Sequence, residues 1–433
     1  MKKIVDKYQD AGDGVETVGG GRGGFSLRSL KTFSSLKNPV YRLYFGGMLG
    51  QQASMNMQIM ARSLLIYRLT DSAAILGGTT LAFALPMLFL SLFGGAVADR
   101  VQKKYILQAG QVSSAIVSLS IALALTLGYL SVERSGSWWL LVFASILQGI
   151  IMGIMMPSRQ AIIREIVSGE QVMNAVALNV LGMNTLRFLA PAVAGFLIDA
   201  FDFAAVYFAT TGMYLMAVVF IAFMPLTGTI TIRRHSALFD IKEGLKYIRH
   251  ETTILLILLF TLSGVVFSLP YMQLMPIFAD DILKVGATGM GVLLSLSGIG
   301  AMAGSIILAS LPNRRRGAMM LISSLLLSMA LIGFSFSHSW YLSLALIIFV
   351  GLGQAGRMTL GNTLLQYYVE DEYRGRVMSI YMMEFGMMSL GTFSAGLIAE
   401  SIGVQWAVGG YAMVLALLCI LALIFVPRLR RLD

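Results

Sequence analysis

The amino-acid sequence predicts an all-α membrane protein, with twelve transmembrane helices in two six-helix halves related by a pseudo-two-fold axis. Three observations predict it. Of the 433 residues, 57% are hydrophobic and 12% charged, where soluble domains run near a quarter charged. The apolar residues fall into twelve runs, each close to the ~20 residues that cross a bilayer. The basic residues gather in alternate connections between those runs, as membrane topology requires.

The runs lie near 41–67, 73–97, 105–130, 138–163, 173–199, 203–225, 254–279, 287–311, 317–337, 340–367, 375–399 and 404–427. Nine Pro and 45 Gly are scattered through the apolar sequence, which membrane helices tolerate. Residues 1–36 are polar and Gly-rich from Gly19 to Gly24, without the apolar core of a signal peptide. They read as a disordered cytoplasmic tail, the other reading being an ordered gating or partner-binding element. Residues 37–226 then hold the first six spans and 253–427 the second six, with a short cytoplasmic tail at 428–433. The longest connection is 227–252. In it Leu238, Ile241, Leu245 and Ile248 recur at helical spacing opposite Asp240, Lys242, Glu243 and Lys246, the pattern of an amphipathic helix on the membrane surface. Pro270 and Pro276 should kink the seventh span.

Of the 32 Lys and Arg residues, 25 fall on the side that holds both termini, and three (Arg68, Arg134, Lys284) on the other. Both termini are therefore expected in the cytoplasm of a multi-pass cell-membrane protein, in bacteria the inner membrane. Charge spread over short loops in this way also argues against nucleic acid as partner, despite a net +10. The halves repeat. At an offset of 202, residues 163–176 superimpose Val167, Glu170 and Ala175 on Val369, Glu372 and Val377; at 201, Gly195 and Asp199 match Gly396 and Glu400. A six-plus-six duplication accounts for both matches.

The first cytoplasmic loop carries Gly95, Asp99, Arg100, Lys103 and Lys104 in register. This resembles the signature of the major facilitator superfamily between spans 2 and 3, with Gln102 where that pattern usually has Gly. The equivalent loop of the second half keeps Arg314, Arg315 and Arg316 but lacks the acid. The resemblance extends from about residue 38 to 427. Within it, Asn38 to Leu43, Tyr67 to Ser72 and Arg374 to Ser379 are most similar to the drug and siderophore exporters that include enterobactin exporters. Residues 184–195 resemble the span 5 motif of antiporters, with Ala190 and Ala194 in place of its glycines. The resemblance implies that Asp99 meets the start of span 11, at Arg374 or Arg376, and latches the outward-facing state. A carboxylate bound to free helix N–H groups supplies the physical basis; a plain solvated loop is the other reading.

An ionisable side chain in the bilayer core costs about 2.5–3.5 kcal/mol even on insertion scales. Those within the runs fall in spans 1, 4, 5, 10 and 11, and spans 3, 6, 9 and 12 have none. Arg62 and Arg159 lie near span ends, where snorkelling and function are equally good accounts. Arg187, Arg357 and Glu384 lie deep. Glu384 is the one acid in a run's interior, which makes it the candidate proton carrier; a permanent structural pair with Arg187 or Arg357 is the alternative. Two deep arginines exceed one acid, so Arg187 and Arg357 point to an anionic or zwitterionic substrate. Gln354, Gln58, Tyr271 and Gln273 are candidate polar liners, or else helix–helix hydrogen-bonding groups.

No nucleophile–base set, phosphate loop or metal cluster is visible, and the one cysteine, Cys419, lies in an apolar run. An enzyme is therefore not expected, nor a cofactor. The reading is a proton-coupled exporter of an amphipathic small molecule, working by alternating access as a monomer in the lipid bilayer. Sodium-linked or facilitated movement of a lipid or metabolite is the rival, and a non-transporting receptor the more distant one.

Overall fold

The computed structural model describes residues 31–433 except 135, 227–236, 313 and 382; the expected tail before residue 31 lies outside them. Side chains at several further positions, Gly95 and Asp99 among them, are also outside the description. Residues 31–36, expected to belong to the tail, instead open a 3-10 helix, Lys31–Lys37. It is tied to the fifth span: the Ser35 amide donates to Asn174 Oδ1 at 2.9 Å and its hydroxyl to the Gln171 carbonyl at 3.2 Å.

Six long helices follow: α1 (Pro39–Thr70), α2 (Ala73–Arg100), α3 (Lys103–Thr126), α4 (Trp139–Ile166), α5 (Gly169–Ala200) and α6 (Phe203–Ala222). Asn38 starts α1, its side chain accepting from the amides of Val40 and Tyr41 while donating to the Ile166 carbonyl; Pro39 then sits where a missing N–H costs nothing. A linker helix, α7 (Ala237–His250), precedes the second half. There the seventh span is broken into α8 (Thr252–Ser268), α9 (Pro270–Gln273), α10 (Met275–Ile277) and one π-helical turn, Phe278–Ile282. The breaks fall at Pro270 and Pro276, as the sequence predicts, because proline removes a helix N–H and clashes with the preceding turn. Then come α11 (Gly286–Ser310), α12 (Arg316–Ser335) and α13 (Trp340–Tyr368). The eleventh span is split between α14 (Asp371–Tyr381) and α15 (Glu384–Ile402), and the chain ends in α16 (Val404–Phe425) and α17 (Pro427–Arg430).

Among the described residues, eleven spans are long and apolar enough to cross a membrane. The remaining long helix is α1. Its 32 residues cover about 48 Å at 1.5 Å each, so length is not its deficit. Gln51, Gln52, Asn56, Gln58 and Arg62 lower its hydropathy, and Gln51, Gln52 and Gln58 are buried inside the protein. The lipid-facing helices show the reverse. Ile116 and Leu123 on α3, Val219 on α6, Ile322 and Met329 on α12, and Leu417 and Ile424 on α16 are exposed, an apolar surface suited to lipid and not to water.

Within the first half α2 packs on α4, α3 on α6 and α1 on α5 and α6; within the second, α11 packs on α13 and α12 on α13 and α16. Two pairs of long helices join the halves, α5 with α11 and α2 with α15, and α1 also touches the short α10. These pairs are related by the internal repeat.

Candidate functional site at the interface of the two halves

The interface is built twice from one pattern. At Gly195 of α5, an added Cβ would lie 2.3 Å from the Ala287 carbonyl of α11; at Gly396 of α15, it would lie 2.5 Å from the Ala73 carbonyl of α2. Only glycine lets these backbones approach so closely. One turn further on, each helix presents a carboxylate to the start of its partner. Asp199 Oδ2 accepts from the Thr288 amide at 2.7 Å. Glu400 Oε2 accepts from the Ala74 amide and the Ser72 hydroxyl, both at 3.1 Å. Each carboxylate thus caps a helix N-terminus of the other half, where unpaired N–H groups and the helix dipole favour negative charge. These four residues are the ones the sequence repeat aligns.

The same end carries a third tie. The Arg68 guanidinium meets Asp280 through two bonds, at 2.8 and 3.2 Å, and the Tyr67 hydroxyl bonds the Asp281 carboxylate. Asp280 and Asp281 escaped sequence reasoning because they follow the seventh span and look like loop acids. The π-helical turn swings them back onto α1. The end remote from the linker is closed.

Deep in the second half, Arg357 and Glu384 come together, Nη2 to Oε1 at 3.9 Å. Arg357 is 1% exposed. Its Nη1 donates to the Thr261 carbonyl of α8 at 3.1 Å, and Nε has no partner. Gly264 makes room for it: a Cβ there would sit 2.9 Å from Arg357 Cδ. Glu384 opens the first turn of α15, at the break in the eleventh span. No proline marks that break, so the sequence shows the acid but not its place at a helix start. Tyr381, the last residue of α14, lies within electrostatic reach of Glu384 as well.

The remaining predicted residues are distributed rather than gathered. Arg187 is exposed on α5, within electrostatic reach of Tyr271. Tyr271 is fully buried and shares a 3.0 Å hydrogen bond with Ser297, which supports its helix-packing reading. Gln273 is partly buried and Gln354 buried. Gln58 Oε1 accepts from the Tyr214 hydroxyl at 3.3 Å inside the first half. Arg159 is not left to snorkel alone: its Nη1 donates to Gln52 Oε1 at 3.1 Å.

Around the signature loop, Lys103 pairs with Glu165 at 2.6 Å, while Lys104 caps α6 by donating to the carbonyls of Ala222 and Met224. Arg100 ends α2 and is exposed. Arg374 pairs with Asp371 on its own helix at 2.6 Å, and Arg376 with Glu243 of α7 at 2.8 Å. Tyr247 of α7 stacks on Tyr373 with centroids 4.2 Å apart. The linker helix therefore grips the start of the eleventh span. Ile248 is buried and Gly244 lies against Arg376 and Ile380, while Leu245 is 54% exposed.

Comparison with known proteins agrees with this architecture. Among solved structures, the chain is similar to the nucleoside transporter NupG, with TM-score 0.71 and 12% identity over 88% of this chain and 99% of that one. It is also similar to a bacterial homologue of the human lysosomal transporter Spinster in an inward-facing, unoccupied conformation, with TM-score 0.68 and 12% identity over 93% and 98% of the two chains. Among curated sequences, the Staphyloferrin A transporter of Staphylococcus aureus (strain NCTC 8325 / PS 47) is 25% identical over 334 residues, 77% of this chain and 83% of that protein. An uncharacterized MFS-type transporter of Bacillus subtilis (strain 168), YfiS, is 26% identical over 343 residues, 76% and 78% of the two chains. The sequence profile described as "Transmembrane secretion effector" matches residues 30–433. The chain belongs to that family of major facilitator superfamily transporters, and it is a multi-pass membrane transporter rather than an enzyme.

Proposed function

We propose that this transporter is a secondary active exporter that couples the outward movement of an amphipathic, anionic small molecule to proton entry by alternating access. The observation that carries the proton reading is the Arg357–Glu384 pair at the break between α14 and α15. A guanidinium beside a carboxylate favours its charged form. When α15 shifts against α13 within the second half and the pair separates in an apolar surround, the carboxylate takes up a proton. Broken helices are where transporters of this general type place coupling ions.

The far-end contacts support a two-state mechanism, since Asp199, Glu400 and Asp280 each tie one half to the other. With both termini in the cytoplasm, that end faces outward. Asp99 with Arg374 or Arg376 is the proposed latch of the opposite state, and the grip of α7 on α14 ties the linker to it. The name of one relative, a transporter of staphyloferrin A, supports an organic small molecule as substrate. Arg187, exposed near Tyr271, supports an anionic one, with Arg357, Gln354, Gln58 and Gln273 as further candidates.

One observation favours a second reading, a static pair: Arg357 is also held by the Thr261 carbonyl. Glu384→Gln separates the two. Coupling predicts normal thermal stability in detergent and loss of pH-gradient dependence in proteoliposomes. Lower stability with gradient dependence retained would leave the pair structural.

A further inference from the structure

Five exposed cations gather at one end of the second half. Lys246 and Arg249 lie toward the end of α7, Arg428 and Arg430 on α17, and Arg431 just after it. They flank the ends of two spans, since α8 starts at Thr252 and α16 ends at Phe425. α17 packs on α8, α12 and α16. Leu429 and Leu432 are buried there, and the Gly317 amide of α12 donates to the Leu432 carbonyl at 3.0 Å, so the arginines stay outside. Among the described residues none of the five forms an ion pair. Of the described acids in the same segments, Glu243 is spent on Arg376 and Asp433 accepts from the Arg315 amide, while Glu251 remains.

Cations near span ends set topology, and that role needs no shaped surface. Here there is one. Leu245, Lys246, Arg249 and His250 line an open cleft of about 500 Å³. Gly244 lies against α14 and Ile248 is buried, so the cleft occupies the outer side of the linker helix. Leu245 adds an apolar wall beside the cations. Further along the spans, Ile322 of α12 and Ile424 of α16 are exposed and suit acyl chains. The first half uses its loop lysines differently: Lys103 pairs with Glu165, and Lys104 donates to the carbonyls that end α6.

We propose that this surface docks the headgroups of anionic phospholipids, with the phosphate held by Lys246 and Arg249 in the cleft and the α17 arginines adding to the attraction. Clusters of this size beside a span end attract an anionic leaflet. The long side chains keep their charged heads at headgroup depth while their stems lie along apolar surface. A lipid also uses what a soluble anion does not, the exposed Leu245 and the apolar flanks of α12 and α16. The leaflet, the inner one, rests on the reading that both termini are cytoplasmic. Binding itself rests neither on that reading nor on export.

The test uses the full chain purified in detergent, titrated in mixed micelles with dioleoylphosphatidylglycerol or with zwitterionic dioleoylphosphatidylcholine. Phosphatidylglycerol should raise the thermal midpoint saturably, less so at high salt, and phosphatidylcholine should not. Lys246→Gln and Arg249→Gln should each weaken the apparent affinity about fivefold, and Arg249→Lys much less. Arg134→Gln, at the far end, should leave it unchanged. An equal response to phosphatidylcholine would mean acyl contact alone and would overturn the proposal. So would an affinity unaltered in both glutamine variants, or an equal loss in Arg134→Gln. The same shift from glycerol 3-phosphate would give the surface to free phosphate, and from polyglutamate to an acidic protein; either sinks the lipid site. Should the glutamine variants fail to fold, native mass spectrometry of the unaltered chain still decides, since equal retention of the two lipids rejects the site. Labelling of Lys284→Cys from the wrong side would move the site to the other leaflet without changing these outcomes.

Discussion

Two deep arginines with similar prospects in the sequence meet different surroundings. Arg357 is enclosed by Thr261, Gly264 and Glu384, whereas Arg187 is exposed on α5. Removing Arg357 would leave Glu384 with no countercharge, and breaking a buried pair from one side costs about 3–5 kcal/mol. Arg357→Ala should therefore lower the unfolding midpoint markedly. Arg187→Ala should leave it nearly unchanged while weakening transport of anionic compounds more than neutral ones. Melting curves and a substrate panel check this, and equal losses for charged and neutral compounds would return Arg187 to a packing role. The scarcity of acids made Glu384 legible in the sequence. Its partner was not, because which of two arginines it meets depends on how α13 and α15 pack.

At the scale of elements, proline and patterning were readable and tertiary registers were not. The break of the seventh span followed from Pro270 and Pro276, each of which forces a local loss of helix. The turn at Met383 has no proline to announce it. The amphipathic linker was visible, but its contact face turns on Gly244 packing against α14. The cross-half caps suggest a direct experiment. The charge of a carboxylate at a helix N-terminus is worth about 0.3–1 kcal/mol, so Glu400→Gln or Asp199→Asn should shift a two-state closure roughly 2- to 5-fold toward an open far end. Spin labels replacing Glu133 and Lys284, one in each half, should then report longer distances. Unchanged distributions in both variants would show that the caps do not hold the end closed. A bulkier test uses the glycines. Gly396→Leu should part α15 from α2 and open the same end, because even a Cβ there falls 2.5 Å from a carbonyl oxygen.

At the scale of the whole molecule, the repeat read from residues 195–199 and 396–400 is also the closing device. Gly195 and Asp199 act on α11 as Gly396 and Glu400 act on α2. A duplicated half must meet its twin through equivalent surfaces, so the repeat preserved the residues at that contact. The sequence could align those residues but could not say that they cross between halves. Orientation is the remaining global quantity, and the basic residues predict it. Cys419, the one cysteine, is fully buried, so single replacements at exposed sites report without background. A membrane-impermeant thiol reagent applied to intact cells should label Lys284→Cys and spare Arg249→Cys on the linker helix. The reverse pattern would invert the topology.

Alternating access makes a stronger demand, because the two ends must answer to each other. The far end is held by Asp199, Glu400 and the Arg68–Asp280 pair. The linker end is where Glu170 and Glu372, equivalent under the repeat, begin α5 and α14. If the halves rock as rigid bodies about the interface, opening one end closes the other. If each end instead frays independently, loss of the caps loosens the far end and leaves the linker end alone. The two accounts differ in one observable. Spin labels replacing Glu170 and Glu372 should move closer in the Glu400→Gln background, by the same population shift that lengthens the Glu133–Lys284 distance. Adding Asp99→Asn, which weakens the proposed latch at the linker end, should restore part of the original distribution at both ends. A linker-end distance that ignores the far-end substitution would rule out rigid rocking, whatever the transport activity of the variants.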